Sequence, residues 1–177
     1  RNYGKRATTL TNMDRQTAGH ISPSAWKISY QDHILLLGSC FSDSMAEKMA
    51  ACYLPHTTNP YGTLYNPLSI AQAMDTQTDE EWIVSDKGLY HSLLRHGSFS
   101  GTDEREVRRA VAESRKKMAE AIEKATVIII TFGTAWVYEY EGRVVANCHK
   151  LPASAFTRRR LTVSEIVAIW KPILERY

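Results

Sequence analysis

Residues 33–42 read His33-Ile34-Leu35-Leu36-Leu37-Gly38-Ser39-Cys40-Phe41-Ser42, and this stretch decides the fold class. An apolar run this short, bounded by a glycine, has the length of a buried strand rather than of a helix. From about Asp43 to Ala51 the pattern turns helical, with Ser42 placed to cap the first turn by accepting from a free backbone N–H. A strand that breaks at a glycine and runs straight into a helix sets the next side chains at the carboxyl edge of the sheet. Open α/β sheets hold their ligands and nucleophiles at that edge. The helix also directs the positive end of its dipole at Ser39 and Cys40, which favours negative charge there. The alternative is that Gly38 only makes the turn and Cys40 is a small buried apolar residue.

Outward from this stretch the order is α/β. An extended piece, His56 to Asn59, leads to a turn at Pro60-Tyr61-Gly62. Asn66 then caps a helix that has Pro67 at its first position, where the fixed φ and missing donor of proline fit. Residues 80–100 read as short strands with a loop at Arg95-His96-Gly97. Asp103 to Ala125 is the clearest helix, with Val107, Ala110, Val111, Met118, Ala121 and Ile122 as its buried stripe. Its exposed side carries the i,i+4 pairs Glu104–Arg108, Glu113–Lys117 and Glu120–Lys124. Thr126 to Phe132 is β-branched and apolar on both faces, as a central parallel strand is, and it ends at Gly133-Thr134, again at the carboxyl edge. Ala135–Tyr140 and Arg143–Asn147 read as a hairpin closed at Glu141-Gly142. Arg158-Arg159-Arg160 reads as a solvated loop. A last helix starts at a Thr162/Glu165 capping box, and its apolar stripe is Val163, Ile166, Val167, Trp170, Ile173, Leu174 and Tyr177. Pro172 inside it predicts a kink or a break. No strand follows for this helix to cross over to, so the chain reads as truncated before its C-terminal strands.

The chain of 177 residues suits one domain, with residues 1–23 as a poorly ordered tail. A net charge of +3, from 22 basic and 19 acidic residues, with no basic stripe interleaved with aromatics, does not point to nucleic acid. No apolar stretch approaches the ~20 residues of a membrane span. Three cysteines, Cys40, Cys52 and Cys148, at wide spacing read as reduced thiols and predict a cytoplasmic protein. Cys52, at a helix end, is expected to face the core.

Beyond the pentapeptide Gly38–Ser42, five further segments carry a resemblance. Residues 24–31 read SAWKISYQ, 59–70 NPYGTLYNPLSI, 89–100 LYHSLLRHGSFS, 130–139 ITFGTAWVYE and 145–159 VANCHKLPASAFTRR. In order and spacing these resemble the GSCFA family, over roughly Ser24 to Tyr177. That family is grouped with the SGNH/GDSL hydrolases, so the resemblance implies a three-layer α/β/α domain of SGNH or flavodoxin type with a mainly parallel sheet. In those hydrolases the first loop holds the nucleophile. The oxyanion donors are its own backbone N–H, a second-block glycine and a third-block asparagine.

The resemblance places Cys40 at the nucleophile position, with Ser39, one residue earlier, as the alternative nucleophile. Gly62 corresponds to the second-block glycine and Gly133-Thr134-Ala135-Trp136 to the third block. Asn59 and His96 join Gly62, Gly133 and Thr134 as oxyanion or substrate-binding candidates. Two departures stand out: the nucleophile is a cysteine, and Ala135 stands where the asparagine would be. The Asp-x-x-His block that carries the base in SGNH hydrolases occurs nowhere in these residues; the resemblance implies that it lies beyond Tyr177 and that the base is a histidine there. Within these residues His149, whose Asn147-Cys148-His149-Lys150 motif is shared with the family, is the best histidine, ahead of His96 and His91. The implied reaction is hydrolysis or transfer of a small acyl or acetyl ester, on a carbohydrate for example, without metal or cofactor. The competing class is a non-catalytic module that uses the same cleft to hold a ligand or partner. An uncovered sheet edge further predicts self-association.

Overall fold

In the computed structural model, which describes residues 22–76 and 81–177, the run Ile34–Gly38 is strand β1 and all five of its residues are buried. Of the expected N-terminal tail, residues 1–21 lie outside the described residues. Helix α1 (Cys40–Ala51) follows β1 at once, and its N-cap is Ser39. The expected start at Asp43 with Ser42 as cap is therefore corrected: Ser42 lies inside the first turn and is fully buried. β2 (His56–Thr58) leads to α2 (Pro67–Met74), where Asn66 Oδ1 accepts from Ser69 N–H at 2.8 Å and Pro67 opens the helix. β3 (Ile83–Asp86), β4 (Leu89–Ser92) and β5 (Ser100–Gly101) make a small antiparallel sheet.

α3 (Glu104–Lys124) runs between the expected limits, capped by Asp103. Its buried stripe is Val107, Val111, Ser114, Met118 and Ala121, so Ser114 occupies the seam while Ala110 and Ile122 sit half-buried at its margin. β6 (Val127–Thr131) then pairs in parallel with β1, and β2 pairs in parallel on the other side of β1. Among the described residues parallel pairing is confined to this sheet of order β2-β1-β6. The fold is thus α/β, but among the described residues β6 is an edge strand and not the central one the sequence indicated.

Its composition has another cause. Alternate residues of β1 and β6 feed two clusters on opposite faces. Leu35, Leu37, Ile128 and Ile130 pack with α2, α3 and Trp170, whereas Ile34, Leu36, Val127 and Ile129 pack with Ala46 and Met49 of α1. An all-apolar strand reports two covered faces, not two paired edges.

β7 (Trp136–Tyr140) and β8 (Arg143–Val145) form the expected hairpin, with positive φ at both Glu141 and Gly142, as a type I′ turn needs. β9 (Phe156–Arg160) pairs antiparallel with the other edge of β7, so the Arg158-Arg159-Arg160 run is a strand and not a loop. α4 (Val163–Arg176) carries the full capping box, and Pro172 is accommodated within it. Only Trp170 of α4 is buried, donating through Nε1 to Pro67 O at 3.2 Å, and Ile166, Ile169 and Ile173 pack beside it. Val163, Val167, Leu174 and Tyr177 of the expected stripe are exposed. No helix among the described residues is long and apolar enough to cross a membrane.

Candidate functional site

Gly38 ends β1 with φ +132, and a Cβ there would overlap the carbonyl oxygen of Thr131 and stand 2.6 Å from Thr131 Oγ1. Only glycine lets β1 and β6 stay in register to this point. Thr131 is the hub of the turn. Its Oγ1 accepts from Ser39 N–H at 3.1 Å and lies 3.2 Å from Ser39 Oγ and 2.8 Å from Ser42 Oγ. Ser39 Oγ also accepts from Phe41 N–H at 3.3 Å, and Ser42 Oγ donates to Leu37 O at 3.2 Å. The Ser39 hydroxyl is therefore buried in a capping network, whereas the neighbouring Cys40 is exposed at the first position of α1. The N–H of Cys40 has no acceptor among the described residues, as expected of the first amides of a helix.

The second loop is braced by Asn59. Its Oδ1 accepts from Gly38 N–H at 2.9 Å and its Nδ2 donates to Asp43 Oδ1 at 2.7 Å. Its backbone N–H donates to Leu36 O at 2.9 Å, and its carbonyl accepts from Gly62 N–H at 2.7 Å. Both polar ends of the Asn59 side chain are thus held by the protein. Gly62 has φ +73, and a Cβ there would overlap His96 Cβ and lie 2.8 Å from His96 Cγ. His96 N–H donates to Tyr61 O at 3.1 Å, and Ser98 N–H donates to His96 Nδ1 at 3.2 Å, which leaves the proton of the neutral ring on Nε2. Beneath this turn the Arg95 guanidinium lies 3.9 Å from the centre of the Tyr61 ring and pairs with Glu81 at 3.1 Å. Burial pushes the Glu81 carboxyl up and outweighs the opposing pull of Arg95.

In the third loop, Gly133 N–H and Thr134 N–H both donate to Tyr65 O, at 2.8 and 3.0 Å. A Cβ on Gly133 would stand 3.0 Å from the Tyr65 ring and 3.4 Å from Ser39 Cβ, which sets this loop against the first. Thr134 Oγ1 accepts from Trp136 N–H at 3.0 Å, leaving its own proton free to donate. The structure thus brings Ser39, Cys40, Asn59, Gly62, His96, Gly133 and Thr134 together at one edge of the parallel sheet. It also limits what they offer. The N–H of Gly62, expected to donate to an oxyanion, closes the Asn59 turn instead, and those of Gly133 and Thr134 hold Tyr65 O. The donors left at this edge include Cys40 N–H, the Thr134 hydroxyl and, in the neutral ring, His96 Nε2–H.

His149 belongs to another layer of contacts. It follows β8 with φ +49, its Nε2 lies 2.6 Å from Ser92 O, and its Nδ1 lies 3.0 Å from Ser100 Oγ. Both ring nitrogens are engaged, and neither is hydrogen-bonded to Cys40. Burial lowers its affinity for a second proton. Burial likewise raises the Cys148 thiol above its ordinary value. Cys52, expected to face the core, is exposed at the end of α1. Among the described residues no three His, Cys, Asp or Glu side chains converge as metal ligands. Sequence reasoning missed Thr131, Asp43 and Ser100. The one available signal for Thr131 was a hydroxyl closing an otherwise apolar strand, opposite a glycine.

The fold and the edge define an α/β domain with an exposed thiol on a strand–turn–helix loop. The family model for the GSCFA family matches residues 33–177, and the chain belongs to that family. Neither a comparison with curated proteins nor one with solved structures returned a match.

Proposed function

We propose that this domain captures an acyl group from a small ester, an acetyl group on a carbohydrate being the substrate type that the SGNH relationship suggests. Cys40 Sγ attacks the ester carbonyl, the oxyanion is met by Cys40 N–H and the Thr134 hydroxyl, and the alcohol departs to leave a thioester. Water or an acceptor hydroxyl then takes the acyl group. The observation that carries this reading is the contrast at one turn: the Ser39 hydroxyl is buried in the cap, while Cys40 is exposed with an unengaged N–H at a helix N-terminus. No histidine among the described residues is hydrogen-bonded to Cys40, so the step assigned to these residues is acyl capture, and turnover needs a base brought to the thiol. The same absence favours the second reading, a binding module, in which Cys40 only contacts a ligand.

The test is acylation by a p-nitrophenyl acetate pulse, with peptide mass spectrometry locating the adduct. Cys52 is an internal control, being exposed as well but at the opposite end of the same helix. Acetyl on Cys40 well ahead of Cys52, abolished by Cys40→Ala and retained in Ser39→Ala, is the expected result. Equal labelling of Cys40 and Cys52 favours the binding module, and an adduct on Ser39 overturns the assignment of the nucleophile.

A further inference from the structure

A cleft of ≈ 510 Å³ opens beside the β3–β4–β5 sheet, and its lining includes His91, His149, Ser100, Asp86, Lys87 and Lys150. Its polar groups form a chain whose protons can be ordered. His149 Nε2 lies 2.6 Å from Ser92 O, a pure acceptor, so Nε2 carries the proton. In the neutral ring Nδ1 is then an acceptor that faces Ser100 Oγ at 3.0 Å, and the same hydroxyl donates to Gly97 O at 3.1 Å, so its hydrogen is divided between these two acceptors. That hydroxyl has a single hydrogen, so it cannot also serve His91 Nδ1, which lies 2.9 Å away. His91 Nδ1 must therefore carry a proton and donate to Ser100. In the neutral His91 ring Nε2 is then a bare acceptor.

The His91 side chain is 6% exposed. Among the described residues no group bonds its Nε2, and the residue lines the cleft. A nearly buried, orientationally fixed acceptor beside two lysines and one aspartate is a specific combination. The charged lining favours an anion, and the bare nitrogen requires that the anion keep a hydrogen to donate. Carboxylates and sulfate have none near neutral pH, whereas hydrogen phosphate has one. We propose that this cleft is a binding site for a hydroxyl-bearing oxyanion, hydrogen phosphate being the simplest, with His91 Nε2 accepting from its O–H and Lys87 and Lys150 neutralising its charge. Cys40, Ser39 and Thr134 are not among the lining residues, and the proposal does not rest on the acyl chemistry of the Cys40 turn.

The experiment is long-range proton–nitrogen NMR of the imidazole rings in the ¹⁵N-labelled chain at about pH 8, where free imidazole is neutral. The neighbouring rings, 5.1 Å apart at their centres, are expected to show opposite tautomers, Nδ1–H for His91 and Nε2–H for His149. Titration with inorganic phosphate shifts the His91 Nε2 resonance, while sulfate at matched ionic strength leaves it in place. Lys150→Ala weakens the phosphate response by roughly tenfold, the scale of one charged hydrogen bond. Ser100→Ala removes the relay and with it the single-tautomer spectrum of His91, and the unchanged Nε2–H signal of His149 to Ser92 reports that the fold has survived. An Nε2–H tautomer at His91, equal responses to phosphate and sulfate, no response to either, or an unchanged phosphate affinity in Lys150→Ala overturns the proposal.

Discussion

Gly62 offers a direct measurement of how tightly the second loop is packed, because the chain contains its own control. Gly62 and Gly142 share nearly the same backbone, φ +73 and +76. At Gly142 an added Cβ meets nothing within 4 Å, whereas at Gly62 it overlaps His96 Cβ and sits 2.8 Å from Cγ and 3.1 Å from Nδ1. Alanine at Gly142 thus costs only the left-handed backbone, about 1–2 kcal/mol. Alanine at Gly62 costs the same and must also displace the His96 backbone, since a clash at Cβ cannot be relieved by rotating the ring. The displacement strains the His96 N–H to Tyr61 O bond of 3.1 Å, which is worth about 1 kcal/mol, and opens the packing around the loop. Gly62→Ala is therefore expected to be about 2 kcal/mol more destabilising than Gly142→Ala, combining the bond and the packing. Guanidinium unfolding at equilibrium, with m compared between variants, measures it. Equal losses in the two variants would refute the close approach of Gly62 and His96 and remove the reason for glycine at that turn.

Three further outcomes follow from the same contacts. Arg95→Ala leaves the Glu81 carboxylate nearly buried without its ion-pair partner and should cost roughly 3 kcal/mol at neutral pH, a deficit that shrinks as pH falls and the already raised Glu81 takes up a proton; a pH-independent loss in unfolding experiments contradicts this. His149 binds a second proton less readily folded than unfolded, so stability is expected to fall as pH drops from its ordinary 6.5 toward its lowered folded value; His149→Gln should flatten that part of the Tm–pH curve, and an unchanged slope counts against the burial of the ring. Thr131→Val deletes the hydroxyl shared by Ser39 N–H, Ser39 Oγ and Ser42 Oγ and should lower stability by about 1–3 kcal/mol while speeding iodoacetamide labelling of Cys40 through a loosened turn; slower or unchanged labelling would detach the hub from the thiol.

Where the sequence was legible, the message was local. The Thr162/Glu165 box, the Asn66-Pro67 start, the Glu141-Gly142 turn and the limits of α3 each depend on residues a few positions apart, and each appears in the structure. β9 was hidden because apolar alternation is what marks a strand in a sequence, and β9 has none. Its arginines are stabilised across the sheet, Arg158 stacked 4.1 Å from the Trp136 ring and Arg159 bonded at 2.7 Å to both Glu139 and Glu165. Exposed aromatics on β7 and basic residues on β9 form one surface, visible only once the two strands are paired. The stripe of α4 misled in the opposite sense, since periodicity marks a face able to be buried and not whether a partner covers it.

The site divides along the same line. Gly38 and Gly62 were legible as glycines because a backbone requirement is written at one position. Which serine caps α1 was not, for Ser39 and Ser42 are both sound N-cap residues by local rules. The choice is made by Thr131, 92 positions away from Ser39, whose hydroxyl lies within reach of both serines and accepts from the amide of Ser39 alone. Starting the helix at Cys40 then fixes the functional contrast. Had Ser42 been the cap, Cys40 would sit in the turn ahead of the helix. With Ser39 as the cap, the thiol occupies the first helical position, exposed, beside the one amide of the turn that has no acceptor. The chemistry proposed for Cys40 is in that sense a consequence of a threonine hydroxyl at the end of the neighbouring strand.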